Sequence, residues 1–167
     1  MKAARLFGAV LLLACSAVLL AADAAPAAFD RLKQLAGDWE GTYQGEKPVA
    51  TKVNFKVVSN GSAVMLTADD GSAGEMITMF HPDGSSVMVT HYCAAKNQPR
   101  MRLAKSSDPN QLVFDFLDVT NLTGPDAEHM KRLVITFLDA GHHTQEWTFV
   151  QKGKEGVGRF DFHRVKK

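Results

Sequence analysis

From Trp39 onward the chain keeps one rhythm: short runs of alternating apolar and polar residues, each broken by a turn signal. TKVNFKVV sets Val53, Phe55 and Val57 on one side, and Asn60-Gly61 then turns the chain into SAVMLTA. EMITMF runs to His81-Pro82-Asp83-Gly84, SSVMVTHYC to the Asn-Gln-Pro break, and RMRLAK to Ser107-Asp108-Pro109-Asn110. QLVFDFLDV, KRLVITFLD, TQEWTFVQ and VGRFDFHRV follow, separated by TGPDAEH, AGHH and KGKEG. A period of two sends successive side chains to opposite faces, so each run buries one face and shows the other to solvent. With WEGTYQ in front there are about ten strands, joined by connections too short for crossover helices. The chain is therefore expected to be all-β, an antiparallel up-and-down barrel. Closure is preferred to an open sheet because it leaves no strand edge unpaired.

Ahead of the strands the period changes. AAFDRLKQLA, residues 27–36, spaces Phe29, Leu32 and Leu35 by three, one face of a short helix, with Gly37 as its stop. Further upstream, Lys2 and Arg5 precede an apolar run from Leu6 to Leu20 and the small-residue stretch AADAAPAA. That is the plan of a secretory signal peptide, residues 1–24, with cleavage after Ala24. The run is shorter than the roughly 20 apolar residues of a membrane span. Leu12, Leu13, Ala14 and Cys15 form a lipobox-like alternative, but SAVLL after the cysteine continues the apolar run instead of providing a polar tether. The expected product is a single periplasmic or secreted domain, residues 25–167, with no transmembrane segment.

The charges balance, with 19 Lys and Arg against 18 Asp and Glu, and stay even once Lys2, Arg5 and Asp23 are removed. Such a chain has no electrostatic reason to seek nucleic acid or an anionic membrane, so a small molecule is the expected partner. Nothing in the sequence specifies a cofactor or an oligomeric state. Cys93 stands alone in the mature chain, so it forms no intrachain disulfide and is a buried, reactive or interchain thiol.

LAGDWEGTY, Leu35 to Tyr43, resembles the opening of lipocalin-like barrels of the calycin type, where a short helix leads through Gly-x-Trp into the first strand. The resemblance implies that Trp39 lies across the closed end of the barrel beneath an arginine of the last strand, Arg164 or Arg159. A guanidinium stacked on indole, its donors aimed at backbone carbonyls, would tie first strand to last. The wider pattern is similar to a family of uncharacterised secreted or periplasmic bacterial proteins with a lipocalin-like domain of unknown function. The shared marks are THYC at 90–93, NQPRM at 97–101, TN at 120–121, HM at 129–130 and EW at 146–147. That likeness implies a fold and no reaction. A more distant resemblance, to nitrobindin-type ten-stranded barrels, implies haem held through one histidine, although WEGTYQGEK lacks the continuing Gly-x-Gly of their first strand.

THYC is expected to end a central strand, with His91 and Cys93 on one face about 7 Å apart. With two more donors from His129, His142, His143 or Glu146 they could chelate a soft or borderline metal. As a nucleophile, Cys93 would need a lowered thiol pKa and a base within reach. Asn97, Gln98 and Arg100 offer hydrogen bonds and a cation to a ligand carboxylate or phosphate at a barrel mouth. Asn121, His129 and Glu146 complete the candidate ligand contacts. In TQEWTFVQ, Trp147 and Phe149 are expected inward, with Glu146 and Thr148 on the other face. TGPDAEH is the longest polar connection and the expected rim. No Gly-x-Ser-x-Gly, His-Glu-x-x-His or phosphate loop is present, which removes the common hydrolase and nucleotide readings. The leading expectation is a secreted or periplasmic barrel holding an apolar or amphipathic ligand. The alternative is a metal- or haem-dependent protein or thiol enzyme using His91 and Cys93.

Overall fold

The structure, a computed structural model, describes residues 24–45, 47–68 and 74–166. Apart from Ala24, the expected signal peptide, Cys15 included, lies outside the described residues. A helix, α1 (Ala24–Gln34), precedes β1 (Gly37–Tyr43), β2 (Val49–Val58), β3 (Ala63–Ala68), β4 (Met76–Asp83) and β5 (Ser86–Tyr92). Then come β6 (Gln98–Ala104), β7 (Gln111–Thr120), β8 (His129–Asp139), β9 (His142–Gln151) and β10 (Lys154–Arg164). Each strand pairs antiparallel with the next and β1 pairs with β10, so the sheet is a closed up-and-down barrel, as its alternation implied. None of the described helices is long and apolar enough to cross a membrane.

Two local readings of the sequence are corrected. α1 starts at Ala24, three residues earlier than the apolar spacing suggested, because Pro26 in a first turn gives up no intrahelical bond. It also stops earlier, and Leu35 and Ala36 close it with bonds to the carbonyls of Leu32 and Lys33, each 3.1 Å. Gly37 is therefore not its cap but the first residue of β1. Its φ of +128° suits glycine, and a Cβ there would stand 3.1 Å from Arg164 Nη1. The Asn60-Gly61 turn forms as a short 3-10 segment, Ser59–Gly61, with all three residues at positive φ.

The register decides which residues face inward. β1 sets Trp39 against Val53 of β2 and Arg164 of β10, and Gly41 against Thr51 and Phe162. A Cβ on Gly41 would run into the Asp161 carbonyl, so close pairing of the first and last strands needs glycine there. On β9 the inward row is His143, Gln145 and Trp147, as expected for Trp147. At one end of the barrel, α1 inserts Phe29, Leu32 and Leu35 among Phe55, Val64, Phe80, Val87, Phe114 and Ile135, making a packed core. At the other end none of the described residues forms a helix that fills the bore.

Candidate functional site

The open end contains a cavity of about 460 Å³, within the size range of small-molecule sites. Its upper wall is apolar, built by Tyr43, Val49, Met76, Met130, Phe149 and Phe160. Thr51 and Glu128, whose carboxylate accepts from Gln151 Nε2 at 2.7 Å, also line it, and deeper down Thr78, His91, Gln145 and Trp147 supply polar groups. These four come from β4, β5 and β9, and cross-strand pairing sets Thr78 opposite His91.

A polar chain runs through this floor into the barrel. Trp147 Nε1 donates to Gln145 Oε1 at 2.9 Å, and Gln145 Nε2 lies 3.2 Å from His143 Nε2. An amide nitrogen can only donate, so His143 Nε2 accepts and its proton sits on Nδ1. Desolvation lowers the His143 pKa from 6.5 to about 3, and the nearby Arg164 charge pushes the same way. The ring meets Trp39 edge-on at 4.3 Å.

His91 is the other buried imidazole. Its Nδ1 shares a 2.8 Å hydrogen bond with Thr78 Oγ1, which fixes the ring, and the ring leans on Trp147 at 4.9 Å. Burial lowers its pKa from 6.5 to about 4, so it is neutral near pH 7. Its Nε2 is buried and has no hydrogen-bond partner among the described residues. A buried nitrogen left this way costs stability unless something fills it.

Of the residues singled out in the sequence as ligand contacts, His91 lines this cavity and the others do not. Cys93 does not share the face of His91, because β5 ends at Tyr92 and the two-residue period ends with it. Cys93 instead opens a turn: its carbonyl accepts from Lys96 N, its amide donates to Asn97 O, and Sγ accepts from Ala95 N at 3.5 Å. Burial is the main influence on the thiol and raises its pKa, the wrong direction for a nucleophile. Asn97 is buried and bonds the Glu128 carbonyl at 2.7 Å, while Asn121 bonds the Lys96 carbonyl. Both stitch the β5–β6 turn to the β7–β8 connection at the rim.

Gln98 and Arg100 lie on the outer wall, because Pro99 and Met101 take the inward positions of β6. Gln98 accepts from Thr120, and Arg100 forms a two-pronged pair with Asp118. Glu146 is also outside and pairs with Arg159 at 3.1 Å, leaving Arg159 free of the barrel end. His129 accompanies Phe116 on the outer side of β8, with Nδ1 3.0 Å from the Ala127 carbonyl. The pair His142-His143 does not belong to the connection between strands, where AGHH placed it. It opens β9, with His143 buried inside and His142 outside.

At the plugged end, Arg164 lies over the Trp39 ring with Cζ 4.2 Å from the centroid. Its three nitrogens donate to the carbonyls of Gln34, Ala36 and Ala140 at 2.7, 2.8 and 3.1 Å. One side chain thereby joins the end of α1, the start of β1, the β8–β9 turn and β10.

The barrel has a counterpart among solved structures. The crystal structure of Rv2717c from M. tuberculosis matches it with a TM-score of 0.59 at 15% sequence identity, covering 83% of this chain and 98% of that one. The likeness is one of fold. No protein-family model matches the chain, and no curated protein matches it.

Proposed function

We propose that this protein is an exported carrier or sensor barrel that takes an apolar or amphipathic small molecule into its open end. The observation that carries the reading is His91 Nε2, a buried and unpartnered nitrogen at the floor of an apolar cavity. The ligand class follows from the wall: a mainly hydrophobic, ring-bearing body against Trp147, Phe149 and Phe160, with one polar group at its inner end to meet His91. Because His91 is neutral, that polar group is an uncharged donor or acceptor rather than a carboxylate requiring a counter-ion. Export rests on residues 1–24, and mass analysis of the mature protein tests it by showing whether the chain starts at Ala25.

Trp147 lies in the cavity wall, so its fluorescence reports binding directly. Titration with N-phenyl-1-naphthylamine and a panel of neutral aromatic alcohols is expected to quench Trp147 and saturate. Ala68 also lines the cavity, so Ala68→Trp, which fills the bore, is expected to abolish the signal, and His91→Phe to favour ligands without the polar group. Probes that bind Ala68→Trp and wild type alike would overturn the reading.

A second reading, a haem-dependent protein, has one observation in its favour: a ring-fixed neutral imidazole with a bare Nε2 has the donor chemistry of a haem ligand. His91 would hold the group and the apolar wall would exclude water from it. A hemin titration separates the two readings, since only the second predicts a Soret shift that His91→Phe removes.

A further inference from the structure

On the outer wall, among residues that do not line the cavity, two strands bring three metal-ligating side chains together. Phe160 and Phe162 face into the barrel, so Asp161 and His163 of β10 face out. His143 faces in, so His142 of β9 faces out, and the register sets it directly opposite His163. The two imidazoles stack with centroids 4.1 Å apart and planes 23° apart. Both aim Nε2 at one carboxylate oxygen, Asp161 Oδ1, at 2.9 Å from His142 and 3.3 Å from His163. All three donor atoms lie within 4.8 Å of one another.

We propose that His142, Asp161 and His163 form a binding site for a borderline divalent transition ion, with Zn²⁺ as the reference case. Metal–ligand bonds of about 2.0–2.1 Å in a tetrahedron put neighbouring donors roughly 3.3 Å apart, near the separations of both imidazole nitrogens from Asp161. Two imidazoles and a carboxylate suit such ions and discriminate against Ca²⁺ and Mg²⁺, which prefer oxygen. One proton shared with Asp161 would serve one ring, whereas a cation engages both rings and the carboxylate at once.

The surroundings favour a cation. Glu40 of β1 lies opposite His163, and Asp139 of β8 lies opposite His142, so a carboxylate flanks each histidine. Glu40 shares its charge with Lys52 at 2.9 Å, and Asp139 accepts from Gly141 N, which leaves the cluster net negative. The ligands sit on paired strands of a closed barrel, so little ordering is required on binding. Their side chains are 26%, 38% and 67% exposed for His142, Asp161 and His163, and an ion can enter from solvent with its fourth position open to water. This site is separate from the cavity and stands or falls independently of it.

The test uses untagged protein, stripped with a chelator and titrated with Zn²⁺ against a chromophoric competitor, with histidine ring signals followed by NMR. One equivalent is expected to bind and to shift the rings of His142 and His163. His142→Ala and His163→Ala should each weaken binding by more than the roughly 10–100-fold that loss of a ligand's supporting partner costs, and Asp161→Asn should weaken it too. His81→Ala and His129→Ala should bind as wild type. Circular dichroism and the cavity probe confirm that each variant keeps its barrel. Absence of stoichiometric binding, or binding that survives both His142→Ala and His163→Ala, would overturn the proposal.

Discussion

The two ends of this barrel are built from the same alternating strands and end up as different materials. At the plugged end, α1 drives Leu32 into a layer with Val64, Phe80 and Phe114, all fully buried. At the open end, Met130, Phe149 and Phe160 are only partly buried, and the space between them remains a cavity. Among the described residues, the difference is a single helix of three turns that the open end lacks. A closed wall fixes where residues point, but an added element decides whether the bore becomes core or site.

The sharpest way to break that comparison is truncation. Leu32→Ala and Phe80→Ala should each cost about 3–5 kcal/mol, because they open a void in dense packing. Met130→Ala and Phe149→Ala should cost about 1 kcal/mol or less while changing probe affinity, since they widen space that already exists. Urea unfolding of the four variants checks this, and equal losses at both ends would erase the distinction.

Acid offers a second, smaller contrast. His91 and His143 are held neutral with pKa values near 4 and 3, below the ordinary 6.5. Between these values the unfolded chain takes up protons that the folded chain refuses. Stability is therefore complete above about pH 6.5 and falls as pH drops toward the folded values, by on the order of 3 kcal/mol per histidine. His143→Phe should flatten the part belonging to the packed interior, and His91→Phe the part belonging to the cavity floor. A ligand bonded to neutral His91 should steepen only the second part.

The smallest effect is expected on the outer wall. Arg100→Ala removes an exposed pair with Asp118 and should leave both the urea midpoint and probe binding unchanged, because such pairs are offset by solvation and side-chain entropy. A loss of probe binding would mean that Arg100 reaches the ligand after all.

The sequence revealed most of the wall and little of the site, for reasons visible in particular residues. Alternation is a local property, so Val53, Phe55, Trp147 and the ten strands could be read directly. His91 could be read as an inward residue, but Thr78 as its partner depends on the β4–β5 register, which no short window contains. Cys93 was misplaced because a period of two holds only while the strand lasts. Arg100 and Glu146 looked like ligand contacts by chemistry, and their inward neighbours Met101 and Trp147 decided otherwise. RFDFHRV did carry a signal for the outer cluster: two aromatic residues alternate with Asp161 and His163. Its partner His142 is hidden inside AGHH, which reads as a connection between strands and not as the start of one.

Arg164 bonds the carbonyl of Gln34, a residue 130 positions away in sequence. Until β10 has been made and has reached β1, the first strand has a bare edge and Trp39 lacks its lid. Closure therefore belongs to the last stage of folding, after loops of the longest range have been brought together, which places this barrel among slow folders. A chain interrupted before Phe160 would present that edge to its neighbours, and aggregation during synthesis is the hazard that the final strand removes.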